Sequence, residues 1–233
     1  DKQKKHDHRV ELSTEALGKM GGSHTSSSSI HVLKEVHELY DEMVTNRRWF
    51  HHNPELSFEE YNTAKHIVEI LLEYGIPKED IWTEIGKTGV VAMIYGGAGT
   101  GPCIMLRADM DALSVQETAD VEYKSQNPNV MHACGHDGHM SALLCAAKIL
   151  LANKESLRGS IKLCFQPAEE GRNGATAMIN DGLLDGKDAG LKCGGPRVDM
   201  VFGIHLWSFE RLGGGQCSEG PIMAASDKFT IEV

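Results

Sequence analysis

The chain has 233 residues, 41% of them hydrophobic, and a formal net charge of −10 with histidine neutral. That is enough apolar material for one large α/β domain, or for one domain with a start on a second. The acidic balance argues against nucleic-acid binding, which needs a basic face, and no run of about 18 apolar residues is present, so neither a transmembrane helix nor a membrane partner is expected.

Residues 1–29 are polar, close on GGSHTSSSS, and read as a flexible leader in which His6, His8 and His24 are solvated. The charged start lacks the apolar stretch of a signal peptide. From Ile30 the pattern turns helical, with Val32, Leu33, Val36, Leu39, Tyr40 and Met43 recurring at three and four until Pro54 breaks it. A second helix restarts with Ser57 as N-cap and Glu60 three residues on, a capping box, and stops near Gly75. Short apolar runs at 89–96 and 103–110 read as strands around GGAGTG. That glycine loop lacks the Gly-Lys-Ser/Thr ending of a phosphate cradle and a strand follows it, so a hairpin-like connection is expected. Residues 137–153 form a helix, GSIKLCFQ a strand that enters a loop at Gln166, and GATAMINDGLL a helix closed by Gly182. VDMVFGIHLW reads as another strand, and KFTIEV begins one more. Strands alternating with helices indicate α/β with a largely buried sheet. The six cysteines (Cys103, Cys134, Cys145, Cys164, Cys193, Cys217) are scattered rather than densely paired, which points to a reducing, cytoplasmic compartment.

Four segments end a strand or open a helix with metal-capable groups: RADMDAL, HACGHDGH, PAEEG and FGIHLW. In α/β sheets ligands gather at strand C-termini, so these distant segments are candidates for one site. Two readings stand for Asp109 and Asp111: loop carboxylates that cap a helix, or groups that orient an imidazole. Cys134 and His136 form a Cys-x-His pair of good zinc ligands, crowded by His132, Asp137 and His139. Glu169 and Glu170 repel each other unless a cation lies between them or they point apart. One can bind metal while the other takes a proton from water. His205 sits in an apolar run, where a satisfied core histidine is the alternative to a ligand. The dispersed, carboxylate-rich set suits an open catalytic site better than a closed structural zinc module.

These four motifs in this order, with HHNPELSFEE ahead of them, resemble the M20 family of metallopeptidases. More narrowly they resemble its amidohydrolase branch of hippurate hydrolases, N-acyl-amino-acid deacylases and IAA–amino acid hydrolases. The resemblance covers roughly residues 33–233. It implies a three-layer zinc-exopeptidase-like catalytic domain, with a central mostly parallel sheet between helices, incomplete at the C-terminus. On this basis 1–29 is the leader, 30–224 the N-terminal part of the catalytic domain and 225–233 the first strand of a lid or dimerisation domain. The implied cofactors are two divalent ions, zinc or manganese. The implied ligands are Cys134, His136, Glu170 and His205, with Glu169 as general base and Asp109, Asp111 and His139 in support. The implied partner is a small N-acyl amino acid, hydrolysed to a carboxylic acid and a free amino acid, with homodimerisation through a lid. A lid histidine and a C-terminal metal-binding histidine lie beyond the matching segments. The alternative expectation is therefore a non-catalytic metal-binding domain, or a fragment that needs a partner chain.

Overall fold

The computed structural model describes residues 32–186, 191–209, 214–215, 217 and 219–221. The leader over 1–29 and the lid strand over 225–233 lie outside the described residues. Val32–Leu206 forms one compact unit; the described residues from Trp207 onward belong to another.

The first helical stretch is two helices, α1 (Lys34–Glu38) and α2 (Tyr40–His52), interrupted at Leu39. Its apolar stripe is only partly inward, since Leu33 and Tyr40 are exposed and the buried apolar anchor is Phe50. α2 ends ahead of Pro54, whose ring disfavours helical backbone in the residue before it. Helix α3 (Tyr61–Glu73) starts later than the expected capping box: Glu60 is the residue before its first turn and makes no side-chain cap bond. Ser57 instead donates to Asp111 at 2.6 Å. The buried positions of α3, Thr63, Ile67, Ile70 and Leu71, share one face at three- and four-residue spacing.

Five strands follow the order β1-β2-β4-β3-β5. They are β1 (Ile81–Ile85), β2 (Gly89–Tyr95), β3 (Cys103–Asp109), β4 (Ser160–Gln166) and β5 (Met200–Gly203), with α4 (His136–Ala152) between β3 and β4 and α5 (Gly174–Asn180) after β4. The expected layered α/β arrangement is present, and its strand senses refine the expectation of a mostly parallel sheet. β3 pairs in parallel with β4 and β5, whereas β2 runs antiparallel to both β1 and β4. The sheet is therefore mixed. β2 and β3 are not a hairpin either, because β4 lies between them and pairs with both.

Side chains alternate across the sheet, and both faces are covered. On one face Val90, Ala92, Ile94, Leu163 and Phe165 pack with Phe50, Ile67, Leu71, Met140 and Leu144 of α2, α3 and α4. On the other, Val91, Met105 and Cys164 pack with Met178 of α5, Leu183 and Cys193. Burial on both sides explains the unbroken apolar run of β2. The outer strand β5 departs from the expected buried sheet: among the described residues its positions are exposed, Phe202 at 56%. No described helix is long and apolar enough to cross a membrane.

Candidate metal centre

The three mutually parallel strands β4, β3 and β5 end at the same edge of the sheet, where α4 begins. β3 delivers Asp109 and, just beyond it, Asp111. The turn after β4 delivers Glu169 and Glu170, and the segment after β5 delivers His205. Cys134, His136 and His139 come from the mouth of α4. Side chains separated by up to 96 positions in sequence thus converge, and three groups of them have ligand atoms within 4.8 Å of one another: Cys134, His136 and His205; His136, Glu169 and Glu170; Asp109, His136 and His139. His136 belongs to all three.

Hydrogen bonds fix which nitrogen each histidine presents. His136 Nδ1 donates to the Asp111 carbonyl at 2.7 Å. Its Nε2 is left facing Glu169 Oε2 at 4.0 Å, Glu170 Oε1 at 3.9 Å and Asp109 Oδ2 at 3.6 Å. His205 Nδ1 donates to the Leu206 carbonyl at 2.6 Å, and its Nε2 lies 3.5 Å from Cys134 Sγ. Tying Nδ1–H to a carbonyl while Nε2 faces inward is how metal-ligating imidazoles are held. His139 differs, because both its nitrogens are engaged. Nδ1 donates to Asp109 Oδ1 at 2.6 Å, and Nε2 accepts the Leu206 N–H at 2.8 Å. His139 therefore links Asp109 to the residue next to His205. Gly138 permits that approach, since a Cβ there would lie 2.4 Å from Leu206 Cδ1.

Asp109 and Asp111 are buried supports. Burial pushes the Asp109 carboxyl up, but the His139 hydrogen bond and the charges of His136 and Arg107 outweigh it and hold it at about 2. Arg107 completes that group at 2.8 Å from Asp109 Oδ2. Asp111 accepts the backbone N–H groups of Glu169 and Glu170, each at 3.0 Å. The two adjacent glutamates are thus oriented by one carboxylate. Burial, with the charges of Glu170 and Asp109, pushes the Glu169 carboxyl up. Burial and Glu170 push the Cys134 thiol up to about 12.

The donor set fits a divalent cation. His136 Nε2 and Glu170 Oε1 are buried with no hydrogen-bond partner, a costly arrangement for protein groups alone. Thiol, imidazole and carboxylate together are zinc-type ligands, with carboxylates extending the set to harder ions such as manganese. A cation would offset the repulsion between the glutamates and deprotonate the thiol outright.

Asp137, counted with the cluster from sequence, faces elsewhere. Its carboxylate takes His51 Nδ1–H and Arg47 Nε–H, both at 2.8 Å, and His51 Nε2 reaches Glu117 at 3.1 Å. His132 is buried with both ring nitrogens unpartnered, and burial drives its pKa down to about 4. Residues that sequence reasoning missed are Arg107, Ser57 and Glu60, each contacting the supporting carboxylates or the glutamate turn.

The chain is similar to several known proteins. The hippurate hydrolase of Campylobacter jejuni is 44% identical over 204 residues, 88% of this chain and 49% of that enzyme. The IAA-amino acid hydrolase ILR1-like 4 of Arabidopsis thaliana is 40% identical over 201 residues, 86% of this chain and 42% of that enzyme. Among solved structures, the YXEP protein of Bacillus subtilis, described as a dinuclear metal-binding peptidase of family M20, superposes with a TM-score of 0.67. It shares 35% sequence identity, over 76% of this chain and 46% of that one. The chain spans about half the length of the curated relatives it matches. Residues 105–230, more than half of the chain, match the profile of peptidase family M20/M25/M40, and with Cys134, His136, Glu169, Glu170 and His205 gathered at one sheet edge the chain belongs to that family.

Proposed function

We propose that this chain carries the metal-binding half of an amidohydrolase that cleaves N-acyl amino acids, of the hippurate or indoleacetyl-conjugate type, into a carboxylic acid and a free amino acid. In this reading Cys134, His136, Glu170 and His205 hold two divalent ions, zinc or manganese. When bound, the ions supply Lewis acidity toward the amide carbonyl and toward water. Glu169, 41% exposed at its side chain while Glu170 is 24% exposed, is the carboxylate of the pair that solvent reaches more easily. It takes the proton from the attacking water and hands it to the leaving amine, and a carboxyl pushed up by burial and by its acidic neighbours suits that exchange. Asp111 holds both glutamates, while Asp109 acts through His139 on the segment of His205.

One observation carries the reading: His136 and His205 each spend Nδ1–H on a carbonyl and turn Nε2 toward Cys134 or the glutamates. A reducing, cytoplasmic setting belongs to the same reading and suits six unpaired cysteines. So does homodimerisation through a lid domain in the full-length protein.

A second reading is favoured by the exposed β5, with Phe202 at 56% and Ile204 just after it at 78%. Here the chain is a metal-binding fragment that needs a partner segment to complete the site. Hydrolysis of acetyl-, benzoyl- and indoleacetyl-amino acids by the zinc- or manganese-loaded chain, beside Glu169→Gln, separates the two. Turnover lost in the mutant supports the enzyme. Turnover unchanged in the mutant refutes Glu169 as base. Metal binding without turnover in either protein supports the fragment.

A further inference from the structure

The turn that carries Glu169 and Glu170 is built against local preference. Ala168 is fully buried and has a φ of +52°, a left-handed conformation that L side chains rarely adopt. Beside it, Gly174 approaches so closely that a Cβ there would lie 1.7 Å from the Pro167 carbonyl oxygen. The Gly174 N–H donates to the Ala168 carbonyl at 3.0 Å. The turn also presents three consecutive N–H groups, of Ala168, Glu169 and Glu170, to buried carboxylates. Asp111 accepts the second and third.

The first goes to Glu60. Its Oε1 accepts the Ala168 N–H at 2.8 Å, and its Oε2 accepts the Thr88 hydroxyl. The Phe58 and Glu60 backbone N–H groups also face this carboxylate. Glu60 is 0% exposed. Burying a carboxylate among neutral donors alone is costly. Helix capping does not explain it, because Glu60 makes no side-chain cap bond to α3. Its reach is to a backbone group 108 positions away, directly before Glu169.

We propose that Glu60 is a positioning residue for the metal centre: by holding the Ala168 N–H it keeps the strained turn in place and sets where Glu169 and Glu170 point. This rests on the reading of Glu170 as a metal ligand, so the test carries Glu170→Ala as its reference. Zn2+ affinity is measured on the whole chain by competition with a chromophoric chelator. Glu60→Asp keeps the carboxyl group but withdraws it by one methylene, and Glu60→Ala removes it. Both are expected to bind Zn2+ about tenfold more weakly, the scale on which supporting residues act. Glu60→Gln keeps an oxygen for Ala168, and the Thr88 hydroxyl can turn to accept from the amide, so its affinity stays within about threefold of wild type. Ile67→Ala, which loses core packing from the same helix, leaves Zn2+ affinity unchanged. Should Glu60→Ala fail to fold, the contrast between Glu60→Asp and Glu60→Gln decides. Wild-type affinity in Glu60→Asp with weakened affinity in Glu170→Ala overturns the proposal alone. An equal loss in Ile67→Ala overturns it too. Wild-type affinity in Glu170→Ala overturns the metal assignment of Glu170 and the proposal with it.

Discussion

Replacing Asp111 by alanine removes the acceptor of three donors: the Ser57 hydroxyl at 2.6 Å and the Glu169 and Glu170 N–H groups at 3.0 Å each. A hydrogen bond to a charged acceptor contributes about 1.5–3 kcal/mol net. The low end applies, because Asp111 is 1% exposed and its removal also relieves the desolvation of a buried carboxylate. Three bonds at that value, discounted because water can reach the exposed Glu169, give a loss of about 3 kcal/mol for Asp111→Ala. Asparagine keeps the shape but offers one oxygen where two backbone N–H groups each need one, and its NH2 opposes the other donor. Asp111→Asn should therefore still lose about 2 kcal/mol. Urea unfolding at about pH 7 with an unchanged m-value reads both. A loss below about 1 kcal/mol in Asp111→Ala, or wild-type stability in Asp111→Asn, refutes the claim that this carboxylate organises the glutamate turn.

Other outcomes follow from the same geometry. His139→Ala frees the Leu206 N–H and one oxygen of Asp109. It should weaken Zn2+ binding about tenfold, and unchanged affinity in a chelator competition would show that His205 is placed without this link. His51 meets two carboxylates with its two nitrogens, so it must donate from both, and the Asp137 hydrogen bond raises its pKa. With the folded value above the unfolded one of about 6.5, its stabilisation is complete below that pH and fades as pH rises through the folded value. Wild type should then exceed His51→Gln in unfolding midpoint by more at about pH 5.5 than at about pH 8.5; an equal or reversed difference contradicts the ion-pair account. Leu144→Ala, at a fully buried site in α4, should cost about 2–5 kcal/mol in denaturant unfolding. It should leave the Zn2+ affinity of the folded chain unmoved.

Much of the centre was legible in sequence because metal-capable residues in apolar surroundings are conspicuous. Cys134, His136, Glu169, Glu170 and His205 all stood where a strand ends or a helix opens. Asp137 misled because it is adjacent to His136 in sequence. Neighbours on a helix point about 100° apart, whereas His136 and His139 share a face. Glu60 was hidden by a better-known pattern: Ser-x-x-Glu ahead of a helix reads as a capping box, and nothing local reveals a partner 108 residues away. β1 escaped because Ile81–Ile85 is short and buries only its last residue fully. The sheet order was out of reach for a different reason. That β4 inserts between β2 and β3 is decided by packing on both faces, which the strand sequences share.

The central claim is that Cys134, His136, Glu170 and His205 together hold the two divalent cations, with Glu169 beside them. Titrating the chain with Co2+ and following thiolate-to-metal charge-transfer absorption tests it most directly. The account expects the band in wild type and in Glu169→Gln, and its loss in Cys134→Ser. The same band persisting in Cys134→Ser, or no band in wild type at saturating Co2+, would contradict it.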